Sequence, residues 1–465
     1  MSSFDLDVLI VGGGVTGLSA LHALCAAPER PRVLLCEASD RLGGVVGTER
    51  VDGFLIERGP DSFVAQKPEG KALCEALGLG AELTTPREEA RKVYLRRGDT
   101  LRAMPDGMVL GLPTSAGAFL RSNFLPWTQK LRMALDLVVP RGTADDETIA
   151  EFMARRFGKG AVEAIAEPLL AGIHSGRADE LSMRSNFPML VELEAQHRSV
   201  IRGLRNGQSQ GHGKGRGPAF WALKGGMGVL IDALCAAVPV EVTRRGAPAG
   251  KLERLAGGGF EVRVGGATLR TRQLLLAIRS HVAAPLLRAA APTLADALAE
   301  IDYASSAIVY FGLDRAQVEH PLDAFGFVST TGAGRVMAGT FVSSKLDGRA
   351  PAGRVLLRAF FGGARDEDVL RESDASLCAI AREELGRLLG LRGEAALQRV
   401  YRYDRATPQM RVGHKGRVAR LRAAEADLPG LALLGAGYEG VGIPECIRQG
   451  QAAAQRAQEG LRATS

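Results

Sequence analysis

The stretch VLIVGGGVTGLSALHAL, residues 8–24, decides how the rest of the chain is read. It carries no formal charge with His22 neutral, and the uncharged run continues to Pro28. A membrane span, a signal peptide and a strand–turn–helix all compete for it. The glycines settle the matter. Val8 to Val11 form a short apolar run suited to a buried strand. Gly12, Gly13 and Gly14 follow at once, then Gly17, then an Ala/Leu-rich helical pattern. Three successive glycines suit a tight turn and weaken a lipid-facing helix. Asp5 and Asp7 stand where a signal peptide carries positive charge.

Gly12-x-Gly14-x-x-Gly17 at the end of a strand has a physical use. The first glycine makes the turn, the second lets backbone approach a pyrophosphate, and the third lets the helix pack on the strand. The helix N-terminus then offers free N–H groups to phosphate. A second apolar run, Val33 to Cys36, ends in Glu37, 23 residues beyond Gly14. An acid there accepts a hydrogen bond from a ribose hydroxyl. The spacing predicts a dinucleotide site on Gly12, Gly13, Gly14, Gly17 and Glu37, with Ala38 beside the acid.

Working outward, 465 residues allow two or three domains and a large core. A chain 46% hydrophobic and 24% charged is an ordered globular protein. A net charge of +7 is mild over this length and permits an anionic membrane face or an acidic substrate. With no concentrated basic helix and no stacking motif, nucleic acid is excluded as a partner. Cys25, Cys36, Cys74, Cys235, Cys378 and Cys446 form no CxxC pair, and seven scattered histidines show no ligand spacing. No metal is therefore expected, and the thiols read as reduced in a cytoplasmic protein.

Alternating residues 260–278 predict paired strands, with further strands at 303–313 and 354–363 and a helix over 374–390. Residues 115–205 carry helical patterns, with Thr143 or Asp145 as the expected cap before IAEFMARRF. Residues 206–217, NGQSQGHGKGRG, read as a solvated surface loop. Gly435-x-Gly437-x-x-Gly440 repeats the dinucleotide spacing, but the 25 residues after it leave no room for a second nucleotide unit. A helix starting near Pro444 can still aim its N-terminus at a cofactor.

Further motifs extend this reading. Glu37-Ala-Ser-Asp-Arg41-Leu-Gly43-Gly44 resembles the acid and arginine–diglycine segment of the flavin amine oxidase superfamily. GFLIERGPDSF at 53–63, AGIHSGRADELSM at 171–183, NFPMLVELEAQHRSVIRGL at 186–204, FGFV at 325–328, TPQM-x-VGH at 407–414 and GAGYEGVGIPECIRQG at 435–450 are similar to the protoporphyrinogen oxidase family within it, in the family's order. The resemblance implies an α/β (α+β) protein. It has a Rossmann-like FAD-binding domain of the amine oxidase type, an antiparallel-sheet substrate domain and a helical membrane-associating domain. Mapped on this chain, FAD-binding segments are expected at 1–88, 220–285 and 415–465. A helical, membrane-associating and substrate segment is expected at 89–219, and a substrate-binding domain at 286–414.

The resemblance also implies non-covalent FAD and a six-electron oxidation of a porphyrinogen in haem synthesis, with O2 as acceptor and hydrogen peroxide released. Protoporphyrinogen IX is the favoured substrate and coproporphyrinogen III the alternative. Another superfamily activity, such as amine oxidation or desaturation, and a non-catalytic flavin scaffold are the competing functions. Peripheral contact with the cytoplasmic face of the cell membrane, a homodimer and hand-off to a chelatase belong to the same implication. Arg41, Gly43, Gly44, Gly59, Ala249, Gly435, Val441, Gly442 and Ile443 join the cofactor set. Phe325, Val328 and Phe360 are expected to line the ring pocket, or else to be plain core, with Gly172 giving close backbone approach.

A carboxylate-bearing macrocycle needs a cation. The family keeps a basic residue just before the strand containing VYL, so the resemblance implies Arg91 or Lys92 in ARKVYL, with Lys92 preferred and a solvated strand-end charge as the alternative. No catalytic side chain is expected, because a flavin accepts hydride itself. His197 reads as structural and Cys446 as a buried thiol. Residues 118–132, AFLRSNFLPWTQKLR, suit a membrane interface or a helix over the pocket mouth, interrupted at Pro126.

Overall fold

Leu6–Val11 (β1) runs parallel to Val33–Cys36 (β2) on one side and to Ala267–Leu276 on the other. Both short strands read as unbroken apolar runs because a parallel sheet is covered on two faces, and Val8 to Val11 are buried accordingly. The computed structural model of the chain describes residues 4–105, 108–109, 112–113, 124–168, 170, 175–207 and 217–463. Within it β1 belongs to a seven-stranded sheet. The order is Thr243–Arg244, β2, β1, Ala267–Leu276, Phe260–Val264 and Ala249–Arg254, with Leu431–Leu433 also paired to Ala267–Leu276. Stretches from three distant parts of the chain thus meet in one sheet.

The helix Val15–Cys25 (α1) and the helix Ile443–Ala463 cover one face of that sheet. Ser280–Leu287, Pro292–Ala299 and His414–Ala426 cover the other.

A second seven-stranded sheet has the order Leu397–Pro408, Tyr303–Asp314, Arg354–Gly362, Ala338–Phe341, Gly326–Ser329, Val93–Arg97, Thr100–Ala103. Its pairs are antiparallel except Gly326–Ser329 with Val93–Arg97. The helix Asp374–Leu389 packs on it through Leu377, Ala381 and Leu385. That helix begins where Ser373 caps Ser376 and ends at Gly390 in the left-handed conformation.

A third core joins the helices Trp127–Ala134, Ile149–Phe157, Pro188–His197 and Val200–Gly207. The expected cap at Thr143 or Asp145 is corrected here. Thr148 caps Ile149–Phe157, its hydroxyl accepting from Glu151 N at 3.0 Å while its own N–H donates to the Glu151 carboxylate at 2.8 Å. This reciprocal capping box satisfies two orphan donors at once, which neither earlier residue can match. Fully buried Arg156 ties the helices together through Glu194 at 2.6 Å and Asp136 at 3.2 Å. Among the described residues no helix is long and apolar enough to cross a membrane.

Candidate cofactor and substrate site

The glycines of the first turn have three different jobs. Gly12 sits at φ +107°, and a Cβ there would overlap the carbonyl of Ala277. A Cβ on Gly17 would overlap the carbonyl oxygen of Gly12, so this position sets how tightly α1 packs on β1. Gly14 differs: a Cβ there meets nothing within 4 Å. The space beside it is open, as a turn that admits a ligand requires.

Glu37 faces this turn. Its Oε2 accepts from Gly13 N at 2.8 Å, and its Oε1 accepts from Ser39 N at 2.9 Å and Ser39 Oγ at 2.8 Å. Gly43 N donates to Gly13 O at 2.7 Å, which lays the arginine–diglycine loop against the turn. Arg41 stitches that loop, donating to the carbonyls of Leu42 and Val46, each at 3.0 Å, and to that of Gly44. Ala38 and Gly44 are exposed, and Ala249 is half-buried two residues beyond Ala247, whose N–H donates to Glu37 O at 2.8 Å. Gly59 lies against Val45 on the far side of the loop.

The Gly435–Ile443 segment leaves the same sheet at the same level. Val11 and Leu433 both pair with Leu276, so the turns after them emerge at neighbouring carboxyl ends of parallel strands. Gly435 has φ +134°, its N–H donates to Gln449 Oε1 at 3.1 Å, and a Cβ there also meets nothing within 4 Å. Val441 and Gly442 are exposed, while Ile443 is buried and opens the helix with Pro444 in its first turn. Open space at Gly14 and Gly435, a carboxylate at Glu37 and two helix starts fit a flavin dinucleotide. Cys446 is buried beneath this segment. Burial pushes its thiol up to about 11 despite a hydrogen bond with Thr16, which is the state of an inert thiol.

Strand register in the second sheet places Val328, Ala338, Phe360 and Ile308 in one row and Gly326, Thr340, Arg358 and Tyr310 in the next. This face meets the 57–61 stretch. Arg358 Nη2 donates to Gly59 O at 2.8 Å, Tyr310 Oη to Glu57 O at 2.7 Å, and Tyr403 Oη to Arg58 O. The Arg358 guanidinium lies 4.2 Å from the Phe360 ring centroid. Lys345 Nζ donates to both carboxylate oxygens of Asp61 at 2.8 Å and lies 5.9 Å from the Phe325 ring centroid. Burial works to raise the Asp61 carboxyl, but Lys345 and Arg358 outweigh it and hold it well below the usual carboxylate range.

Phe325 and Phe360 are both partly exposed beside these cations, and Val328 packs against the helical core. Lys345, Arg358 and Asp61 are absent from the sequence reading. Asp61 and Lys345 lie 284 positions apart, so no local pattern announces them. Lys92 is exposed and ion-paired with Asp323 at 3.0 Å, and Arg91 pairs with Glu88 at 3.3 Å. Gly172 and residues 118–123 lie outside the described residues. His197 closes its helix against Gly203. No metal-binding cluster occurs among the described residues.

Away from this face, Trp127 (62% exposed), Leu131 (65%), Leu135 (48%) and Val138 (76%) form an apolar ridge at near-helical spacing. Pro126 occupies the cap position of Trp127–Ala134, so no continuous helix runs through it, as the proline implies. The Lys130 ammonium lies 4.7 Å from the Trp127 ring centroid.

Residues 15–458 match the model of the family described as flavin containing amine oxidoreductase. The chain is 34% identical to coproporphyrinogen III oxidase of Bacillus subtilis, over 97% of this chain and 98% of that protein. It is 32% identical to protoporphyrinogen oxidase of Homo sapiens, over 96% and 97% respectively. A solved Exiguobacterium structure, provisionally named a protoporphyrinogen oxidase, superposes with a TM-score of 0.86 at 30% identity, covering 99% of this chain and all of that one.

Proposed function

This chain belongs to the flavin containing amine oxidoreductase family, and from that premise we propose that it oxidises a porphyrinogen to the porphyrin in haem synthesis, using non-covalent FAD and O2 and releasing hydrogen peroxide. The observation that carries the reading is a chain of contacts from the dinucleotide turn to a sheet face. Gly43 N donates to Gly13 O at 2.7 Å, Arg58 N to Gly47 O at 2.8 Å and Arg358 Nη2 to Gly59 O at 2.8 Å. The 43–47 loop and residues 57–61 thus join the Gly12–Gly17 turn to the face presenting Phe325, Phe360, Lys345 and Arg358. FAD, when bound, supplies the two-electron acceptor.

The chain's own residues bind and orient. The Gly12–Gly17 turn and the N-terminus of α1 hold the pyrophosphate, and Glu37 faces the ribose. Arg41, Gly43 and Gly44 shape the adjoining loop, while Gly435, Val441, Gly442 and Ile443 border the opposite side. Phe325, Val328 and Phe360 supply apolar area for a flat macrocycle. No side chain is assigned a proton-transfer role.

Coproporphyrinogen III is the first reading of substrate. The Bacillus subtilis relative is named for it, and it carries more carboxylates for the cations of the pocket face, Lys345 and Arg358, which Asp61 only half neutralises. Protoporphyrinogen IX, favoured by the motifs, is the second reading and has the human relative behind it. The test is anaerobic titration of the FAD-loaded protein with each porphyrinogen. The flavin absorbance bleaches, then returns in air with peroxide appearing. A flavin that neither compound bleaches removes the proposal and leaves a scaffold or another oxidase.

The Trp127–Val138 ridge supports peripheral contact with the cytoplasmic face of the cell membrane. Flotation with anionic-lipid vesicles checks this: the double variant W127S/L131S should bind roughly tenfold less, since two large apolar side chains leave the interface. Equal flotation of the two proteins removes the membrane assignment.

A further inference from the structure

Among the described residues, the sheet face that packs on residues 57–61 has more positive charge than it needs for itself. Lys345 and Arg358 are cations and Asp61 is the anion between them. The Lys345 and Asp61 side chains are 15% and 12% exposed, and Arg358 is 5% exposed. Glu57, the next carboxylate, lies 3.7 Å from Arg349, a fully buried cation of its own. Among the described residues one positive charge is thus left over in a poorly solvated place, where an unmatched ion is costly. A second observation agrees. The Nε–H of Arg358 is buried and finds no acceptor among the described residues.

The surroundings say what kind of anion fits. Phe325 lies beside the Lys345 ammonium and Phe360 beneath the Arg358 guanidinium. A small inorganic anion would leave these rings unused. A flat apolar ring bearing a carboxylate arm uses both the rings and the charge. Lys92, by contrast, is solvated and already has Asp323.

We propose that Lys345, anchored by Asp61 and backed by Arg358, receives a carboxylate arm of the porphyrinogen while Phe325 and Phe360 pack against the ring. This rests on the porphyrinogen reading of the same site. Lys345 is the substrate-binding group, and Asp61 and Arg358 are positioning residues.

The test compares the FAD-loaded protein's affinity for coproporphyrin III and for its tetramethyl ester, read by quenching of porphyrin fluorescence. Wild-type protein should bind the acid more tightly than the ester. Lys345→Met should weaken the acid by about 10- to 100-fold, the range of a lost charge-assisted contact, and change the ester by less than about threefold. Asp61→Asn serves as the second variant. It keeps both cations, its amide oxygen still accepts from Lys345, and acid affinity should hold or rise. A purely structural pair predicts equal losses for acid and ester in both variants, and that result overturns the proposal. So does a K345M protein that binds the acid like wild type. Should K345M not fold, a D61N protein that loses acid affinity tenfold overturns the proposal, and one that keeps it supports the proposal. Wild-type protein that binds neither compound defeats the porphyrinogen reading itself, which separates the two failures.

Discussion

Gly14→Ala separates folding from cofactor binding at a single methyl group. Gly14 has φ −72° and ψ 177°, an extended conformation that alanine adopts without strain. Its Cβ would meet nothing within 4 Å. The protein without cofactor therefore accepts the methyl. Two small terms act on its stability and nearly cancel. Alanine stiffens the unfolded chain, stabilising the fold by about 0.4–1 kcal/mol. Gly14 also caps α1, where alanine is disfavoured, which costs on the order of 0.5–1 kcal/mol. The midpoint of urea unfolding should stay within what about 1 kcal/mol produces.

Cofactor binding is another matter. If the pyrophosphate occupies the space beside Gly14, the methyl intrudes on it. Overpacking of that kind costs about 1–3 kcal/mol, so FAD should bind roughly 5- to 150-fold more weakly. Gly17→Ala is the control with the opposite profile. Its Cβ would overlap the Gly12 carbonyl oxygen, with Ala277 Cβ only 3.3 Å away. Neither neighbour can rotate aside, and the protein should lose about 3 kcal/mol or more with or without cofactor. The assay is flavin absorbance retained after gel filtration, paired with urea unfolding of the stripped protein. A G14A protein that keeps FAD at wild-type affinity refutes the placement of the dinucleotide at this turn. A G14A protein that unfolds early refutes the open-space argument.

Three further outcomes follow from the same structure. Arg156→Met should cost about 3–5 kcal/mol in urea unfolding, because it leaves Asp136 and Glu194 short of their buried partner; a loss under about 1 kcal/mol contradicts this. His281 is pushed down to about 4 by burial, with Arg405 and Arg279 adding to it. The unfolded chain then takes up its proton first, so stability falls as pH drops from about 6.5 to about 4 and is flat on either side. His281→Gln should flatten that acid limb of a stability-against-pH curve, and an unchanged limb means the imidazole does not cause it. Cys446→Ala should leave flavin content unchanged and denaturation should release all of the flavin, whereas flavin that stays on the denatured wild-type chain and not on the variant shows a covalent link.

What the sequence makes legible follows the range of the interactions. β1, α1 and β2 are readable because a buried parallel strand is a local apolar run and its turn is a local glycine pattern. The helix Asp374–Leu389 is readable for the same reason, with Ser373 and Gly390 marking its ends. The capping box at Thr148 and Glu151 was equally local and is the clearer signal than Thr143 or Asp145. The cation for a carboxylate arm is different in kind. The resemblance points to Lys92 in ARKVYL, and the structure pairs that residue with Asp323 at the surface, as the solvated strand-end alternative has it. Lys345 and Arg358 come from neighbouring elements, a short helix and a strand of one sheet, and Asp61 reaches them only because that sheet docks on residues 57–61. No spacing rule reaches that far. Of the apolar ridge, Trp127 and Leu131 fall in the amphipathic segment 118–132, whereas Leu135 and Val138 lie beyond it and their exposure depends on how the helical core packs.

The most direct measurement of the central claim is porphyrin fluorescence growth in air. The FAD-loaded protein, in detergent, is offered coproporphyrinogen III and protoporphyrinogen IX separately, beside enzyme-free controls for spontaneous oxidation. A porphyrinogen oxidase gives growth well above the control, peroxide formed alongside it, and the faster rate with coproporphyrinogen III. Rates no higher than the control with both compounds, on protein that demonstrably holds FAD, would contradict the claim.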